Sequence, residues 1–354
     1  MTETLVDQPG ELRGEDSFDT AAVHEWLASH VDGLTGLPEV RQYPGGASNL
    51  TYLLRYPDRE LILRRPPVGR KAASAHDMKR EFRVQRQLRP VFPYVANVLA
   101  LCEDEAVLGS DFYVMERLKG IVLRRDLPAG MALPPERARA LALGAIDRLI
   151  ELHQVDPEAA GLGDLGKGAG YVERQVRGWS ERFRAARTDN VPAFTEVMDW
   201  LADNMPGDAR ICIIHNDYRF DNLVLDPETL AVVGILDWEM STLGDPLMDL
   251  AGTLTYWIQA DDDDMALLSR KTATHLPGMP TRKEIVDYYC DQTGLRIADW
   301  RFYEVFGAFR LAVIMQQIYY RYHHGQTHNP AFKELWRFSG YLESRCRQAI
   351  ERGA

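Results

Sequence analysis

Apolar positions along the chain fall into two regimes. Up to about residue 118 they come in short pulses, at residues 40–43, 50–56, 61–65, 98–102 and 111–116. Runs of that length bounded by turn residues predict strands, and Pro57-Asp58 divides the second and third into a hairpin. Two helices are expected among them. One runs over about residues 19–31, capped at Asp19-Thr20, with Ala22, Val23, Trp26 and Leu27 on its apolar side. The other, over about 75–88, is charged and carries Asp77, Lys79, Arg80, Glu81 and Arg83. Beyond residue 119 the pattern turns helical. Pro134-Pro135-Glu136 opens a helix reaching about His153, with proline in its first turn. A second helix carries Tyr171, Glu173, Arg174, Gln175 and Trp179, and a long aromatic-rich one covers 303–322. The expectation is an α+β chain with a strand-rich part over 17–118 and a larger, mostly helical part over 119–354. Residues 1–16 are polar and acidic, without the apolar stretch of a signal peptide, and are expected to be a disordered leader.

Residues 211–241 interrupt the helical part. Ile211-Cys212-Ile213-Ile214 is too short for a helix and predicts a buried strand. His215-Asn216-Asp217-Tyr218-Arg219-Phe220-Asp221-Asn222 follows, then Leu223-Val224-Leu225 and the turn signal Asp226-Pro227. A third apolar pulse over 231–236 delivers Asp237-Trp238-Glu239. Strand ends therefore carry Asp217 and Asn222 on one loop and Asp237 after the next hairpin. Phosphoryl transfer asks for that inventory. Its transition state is loose, so the protein mostly positions groups and neutralises charge. Asp217 is the candidate to orient the acceptor hydroxyl and take its proton. Asn222 and Asp237 are candidate Mg²⁺ ligands, because Mg²⁺ takes hard oxygens and few of them from protein. The spacing His-x-Asp-x-x-x-x-Asn, then apolar-Asp, is the catalytic-loop arrangement of kinases.

These two motifs together resemble the aminoglycoside phosphotransferase and choline-kinase-like family of small-molecule kinases. The resemblance is closest to the branch related to kinase domains fused to acyl-CoA dehydrogenases. Asn216 stands where many relatives carry Gly. The likeness implies a bilobal protein-kinase-like fold, with ATP and Mg²⁺ between the lobes and a small hydroxyl compound as acceptor. Further site residues follow from it. Gly45-Gly46-Ala47-Ser48-Asn49 could be a plain hairpin turn; with a catalytic loop downstream it reads as a nucleotide-covering turn whose amides approach phosphate. Arg64 takes the place of the usual phosphate-contacting Lys, with Arg65 pointing the other way along a strand. Glu81, within the family-like run Arg80-Glu81-Phe82-Arg83-Val84, is the expected partner of Arg64. Residues 112–118 resemble the hinge whose backbone receives adenine, which singles out Met115, Glu116 and Leu118. His215 is assigned to bracing the loop, and Asp249 to anchoring it. The segment Gly244-Asp245-Pro246 starts a helix within eight residues of Asp237, so there is no room for a long activation loop.

Composition narrows the partners. The net charge is −11 and no basic stripe exists, which argues against nucleic acid. No apolar run reaches the length of a membrane span. Cys102, Cys212, Cys290 and Cys346 are scattered, as expected of reduced thiols in the cytoplasm. Gly161-Leu162-Gly163-Asp164-Leu165-Gly166 matches a dinucleotide fingerprint in form but follows a helix, so it reads as a loop. The acidic run Asp261–264 reads as a solvated helix start, and His323, His324 and His328 lack the carboxylate of a metal motif. Three alternatives to a metabolic kinase stay open: a silent nucleotide-binding scaffold, an antibiotic-inactivating kinase, and a phosphohydrolase. The oligomeric state is not legible.

Overall fold

The computed structural model describes residues 6–44, 49–67 and 77–352. The chain opens with helix α1 (Thr20–Ala28), capped by Asp19, whose carboxylate accepts from the Ala21 and Ala22 amides. Strands β1 (Glu39–Gln42), β2 (Leu50–Arg55) and β3 (Glu60–Arg65) lead to α2 (Met78–Leu88). Then come β4 (Val98–Cys102), the short α3 (Glu105–Leu108) and β5 (Phe112–Glu116). The five strands form one antiparallel sheet in the order β1-β2-β3-β5-β4.

Alternation along these strands explains both sheet faces. Tyr52, Leu54, Leu61, Leu63, Phe112 and Val114 pack with Val23 and Leu27 of α1. Leu53, Ile62, Tyr113 and Met115 face the opposite way, toward Met78 of α2 and Ala96. Arg64 shares the parity of Ile62 and so emerges on the α2 side. Arg65 turns to the α1 side, where it is buried and donates to Tyr52 Oη (2.9 Å) and to Asp16 O (2.7 Å).

That last contact is one of several that join residues 6–16 to the sheet. Gly10 pairs with Gln42 on β1, and Asp16 accepts from Tyr52, Arg65 and Gln42. Asp7 lies against the segment after β5, its amide donating to Gly120 O (3.0 Å) and its carboxylate meeting Arg124. The polar composition hid the reason: these groups satisfy donors that the sheet buries.

Beyond β5 the chain crosses to the helical part through a close approach of backbones. Ile121 and Leu225 exchange both hydrogen bonds at 2.8 Å. A Cβ on Gly120 would sit 2.4 Å from Leu225 O, so only glycine fits the crossing. Helices α4 (Pro135–Gln154), α5 (Tyr171–Ala186) and α6 (Thr195–Asp203) precede the short strands β6 (Cys212–Ile214), β7 (Leu223–Leu225), β8 (Val232–Ile235) and β9 (Thr242–Gly244). β6 pairs with β9 and β7 with β8, both antiparallel. Helices α7 (Pro246–Thr255), α8 (Asp264–Ser269), α9 (Arg282–Thr293), α10 (Arg301–His323) and α11 (Leu335–Glu351) complete the fold. α10 packs against α5, α7 and α11, and its Phe302, Phe306, Phe309 and Val313 belong to the main core. Asp263 caps α8 and Asp262 pairs with Arg282, which places the acidic run at a helix start. Among the described residues no helix is long and apolar enough to cross a membrane.

Candidate active site

A cleft of about 370 Å³ lies between the five-stranded sheet and the β7–β8 hairpin. Its walls include Ile62, Arg64, Met115, Glu116 and Leu118 on one side and Asp217, Asn222, Val224, Leu236 and Asp237 on the other. The strand ends bring Asp217, Asn222 and Asp237 to one place because β6 and β8 finish there and β7, antiparallel to β8, begins there. Asn222 Nδ2 donates to Asp217 O (2.8 Å) and Oδ2 (2.9 Å), leaving its own Oδ1 as an acceptor for something else. Asp237 sits in left-handed backbone, φ 68°, at the tip of its strand. Its Oδ1 accepts from Arg64 Nη2 at 3.0 Å.

Arg64 is the junction between the lobes. The same Nη2 stands 3.3 Å from Glu81 Oε1, and both side chains are buried (10% and 1% exposed). Burial pushes the Glu81 carboxyl above its ordinary range, and the Arg64 charge pulls the other way. Arg80, next to Glu81, donates to the Glu239 and Ser241 carbonyls and so ties α2 to the turn after Asp237. Asn49, fully buried, donates to Glu239 Oε2 at 2.8 Å, so its amide is engaged across the cleft. Gly45, Gly46 and Ser48 lie outside the described residues.

His215 holds the loop from inside. Its Nε2–H donates to Leu236 O (3.0 Å) and its Nδ1 accepts from the Asp217 amide (3.3 Å). With both ring nitrogens engaged, the imidazole is a strut. The His215 and Asn216 amides donate to the two oxygens of buried Asp249 at 2.8 and 2.7 Å, and His153 Nε2 donates to Asp249 from the far side. Burial works against that carboxylate, but the His153 bond and these amides hold it below the usual range. Asp249 anchors the loop as expected, while the cap of α7 is Asp245. Asn216 has φ 67°, a conformation that glycine adopts freely and asparagine tolerates, so the side chain is accommodated where the resemblance leads one to expect Gly.

Reasoning from motif spacing passed over Arg219. Its Nε stands 3.2 Å from both Asp217 Oδ1 and Asp221 Oδ1, and its guanidinium lies over the Tyr256 ring. The signal was its place two residues after Asp217. Burial raises the pKa of Asp217, with Arg219 opposing. Asn222 Oδ1 and the outer oxygen of Asp237 are hard donors facing one cleft, an incomplete set that a Mg²⁺ bound to phosphates would complete. At the hinge, the Glu116 amide is already spent on Asn97 O (2.9 Å), whereas Leu118 donates to no backbone carbonyl among the described residues.

A fold of this kind, with acidic groups, an amide and a buried cation around an interlobe cleft, defines a kinase-like phosphotransferase. A family model described as the phosphotransferase enzyme family matches residues 39–285, and the chain belongs to that family. The chain is 38% identical over 308 residues to mouse acyl-CoA dehydrogenase family member 10. That match covers 85% of this chain and 28% of the mouse protein, so the chain spans well under half of this relative. A crystal structure of a Ralstonia eutropha protein of aminoglycoside-phosphotransferase type superposes with a TM-score of 0.79 at 33% identity, covering 95% of this chain and 99% of that one. A choline kinase from Cryptosporidium parvum shares the fold, with a TM-score of 0.64 at 13% identity over 95% of this chain and 97% of its own.

Proposed function

We propose that the chain is an ATP- and Mg²⁺-dependent kinase that phosphorylates a hydroxyl of a small molecule. The observation that carries this reading is the convergence of Asp217, Asn222, Asp237 and the Arg64–Glu81 pair on one cleft below the hinge. Magnesium-bound ATP would supply the phosphoryl group and offset its negative charge. Asn222 Oδ1 and Asp237 would hold the metal. Arg64, released from Asp237 and kept in place by Glu81, would meet the phosphates. Met115, Glu116 and Leu118 would border adenine, the Leu118 amide serving as a donor. The part up to residue 118 then acts as the nucleotide-covering lobe, to which Gly45, Gly46 and Ser48 would contribute phosphate-binding amides, and 119–354 as the lobe of catalysis and acceptor binding. Asp217 accepts the acceptor's O–H and takes its proton as the new oxygen–phosphorus bond forms and the bond to the leaving diphosphate breaks. Arg219, beside Asp217, contributes positive charge where negative charge gathers. The buried thiols Cys102, Cys212 and Cys346 fit a reducing compartment, and we assign the cytoplasm.

The test is ADP release from ATP and Mg²⁺, alone and with a panel of hydroxyl compounds. Asp217→Ala should lower transfer by about 10³-fold or more while calorimetry still detects nucleotide, given what positioned bases and charge stabilisers contribute. Near-normal turnover in that variant refutes the assignment, and stimulation by no hydroxyl compound at all favours a hydrolase or a silent scaffold.

A further inference from the structure

On the other side of Asp217 from the nucleotide cleft, a small pocket of about 40 Å³ is walled by Asn216, Asp217, Tyr256, Gly307, Arg310 and Ile314. Arg310 of α10 donates from Nη2 to Asn216 O (2.8 Å), which fixes its guanidinium one residue from the proposed base. Its Nε is buried without an acceptor. Its Cζ stands 5.5 Å from the centre of the Trp179 ring, and Arg182 Cζ of α5 stands 4.0 Å from the same ring. Two guanidiniums therefore share one indole.

Neither arginine is in an ion pair among the described residues; the Trp179 ring and the Asn216 carbonyl are their partners. Elsewhere in the site the cations are matched, Arg64 with Glu81 and Asp237, and Arg219 with Asp217 and Asp221. Stacking on an aromatic face offsets part of the cost of partial burial. It does not remove the repulsion between two like charges. Burial, and the Arg310 charge after it, hold the Arg182 pKa below its ordinary value. Two guanidiniums without an ion-pair partner among the described residues, one of them hydrogen-bonded to the residue before the proposed base, are relieved by an incoming anion, and planar guanidinium suits carboxylate and phosphate alike.

We propose that Arg182 and Arg310, seated on Trp179, form an anion-recognising subsite, so that the acceptor carries a carboxylate or phosphate group together with the hydroxyl presented to Asp217. This rests on the reading of Asp217 as the base. A polycationic antibiotic would meet positive charge there, which argues against drug inactivation.

The experiment uses the full chain with saturating ATP and Mg²⁺. Hydroxyl compounds of increasing chain length are compared in four forms, ending in carboxylate, phosphate monoester, neutral amide or ammonium. The anionic forms should exceed the amides by about 10-fold or more in kcat/KM, the scale of a charge-assisted hydrogen bond. The better of carboxylate and phosphate identifies the source of the charge. Arg182 is exposed on α5, so Arg182→Gln should keep the fold, verified by circular dichroism, and should narrow the anion-to-amide ratio mainly through KM. Equal or better turnover of amide or ammonium forms overturns the proposal, as does a ratio that survives Arg182→Gln. If no compound is turned over, the Trp179 indole resonance is titrated with acetate and with inorganic phosphate. A displacement that Arg182→Gln abolishes supports the subsite, and no displacement overturns it. Calorimetry with ATP and Mg²⁺ separates the two readings: absent nucleotide binding sinks the kinase assignment, whereas intact binding with no preference for anions sinks only the subsite.

Discussion

Replacing Arg64 by Met tests the junction on which the cleft depends. Glu81 is 1% exposed, so removing its cation leaves a carboxylate that water cannot reach. Breaking a buried pair from one side costs about 3–5 kcal/mol, a large part of the roughly 5–15 kcal/mol that holds a domain together. Asp237 loses the same partner, but its side chain is 31% exposed and water can replace the bond, so the penalty belongs mainly to Glu81. An exposed pair such as Lys283 with Asp287, at 84% and 57% exposure, carries no comparable penalty, because water replaces either partner. The double variant Arg64→Met, Glu81→Gln should recover much of the loss, giving a coupling of about 2 kcal/mol or more.

The pH dependence has a definite sign. Burial already raises the Glu81 pKa above 4.5, and Arg64 is the charge that pulls it back. Without Arg64 the folded state favours protonated Glu81 still more strongly. A carboxyl whose pKa is higher folded than unfolded contributes stability when protonated and loses it as pH rises. The Arg64→Met penalty should therefore grow with pH and fade below the ordinary glutamate range. Denaturant unfolding of the wild type, both single variants and the double variant, at neutral and mildly acidic pH, measures this directly. Nucleotide affinity should separate from stability: calorimetry should show weaker binding, by about 10-fold or more, in Arg64→Met and in the double variant alike. A single variant as stable as the double, with no pH dependence, refutes the argument.

Two other outcomes follow from the loop. Asp217 must be ionised to act as a base, and burial raises its pKa, so the acid limb of kcat/KM should lie above the 3.8 of a free aspartate. Arg219→Gln removes the charge that opposes burial and should move that limb further up; a pH–rate profile with an ordinary carboxylate limb in both proteins contradicts this. Asp249→Asn turns an amide N–H toward one of three donors that the carboxylate now accepts from, and should cost about 3–5 kcal/mol in denaturant unfolding, together with catalysis. A loss below about 1 kcal/mol would show that the loop does not depend on it.

How much of this was legible in the sequence depends on how far apart the cooperating residues lie. Asp217 and Asn222 share one loop, and Asp237 follows a single hairpin, so a local pattern places all three. The Arg64–Glu81 pair needed the family-like run around Glu81, because a charged helix face is ordinarily solvent-exposed, whereas here the carboxylate is buried. Asn216 looked like a departure until its left-handed backbone showed why a small amide suffices. The contacts of residues 6–16 were not legible because composition reports the average of a segment, while these contacts depend on particular donors, Tyr52 and Arg65, lying underneath it. The Arg182–Trp179–Arg310 cluster was out of reach for a stronger reason. Trp179 and Arg182 are three apart on α5 and read as an ordinary amphipathic surface, and Arg310 sits in an aromatic stripe that reads as core. Only the packing of α5 against α10 puts both guanidiniums on one ring, with Arg310 reaching the loop that carries Asp217. Chemistry that is common to a family is carried by short segments. A cluster such as Arg182–Trp179–Arg310 is assembled between helices distant in sequence, and it is legible only once they are packed.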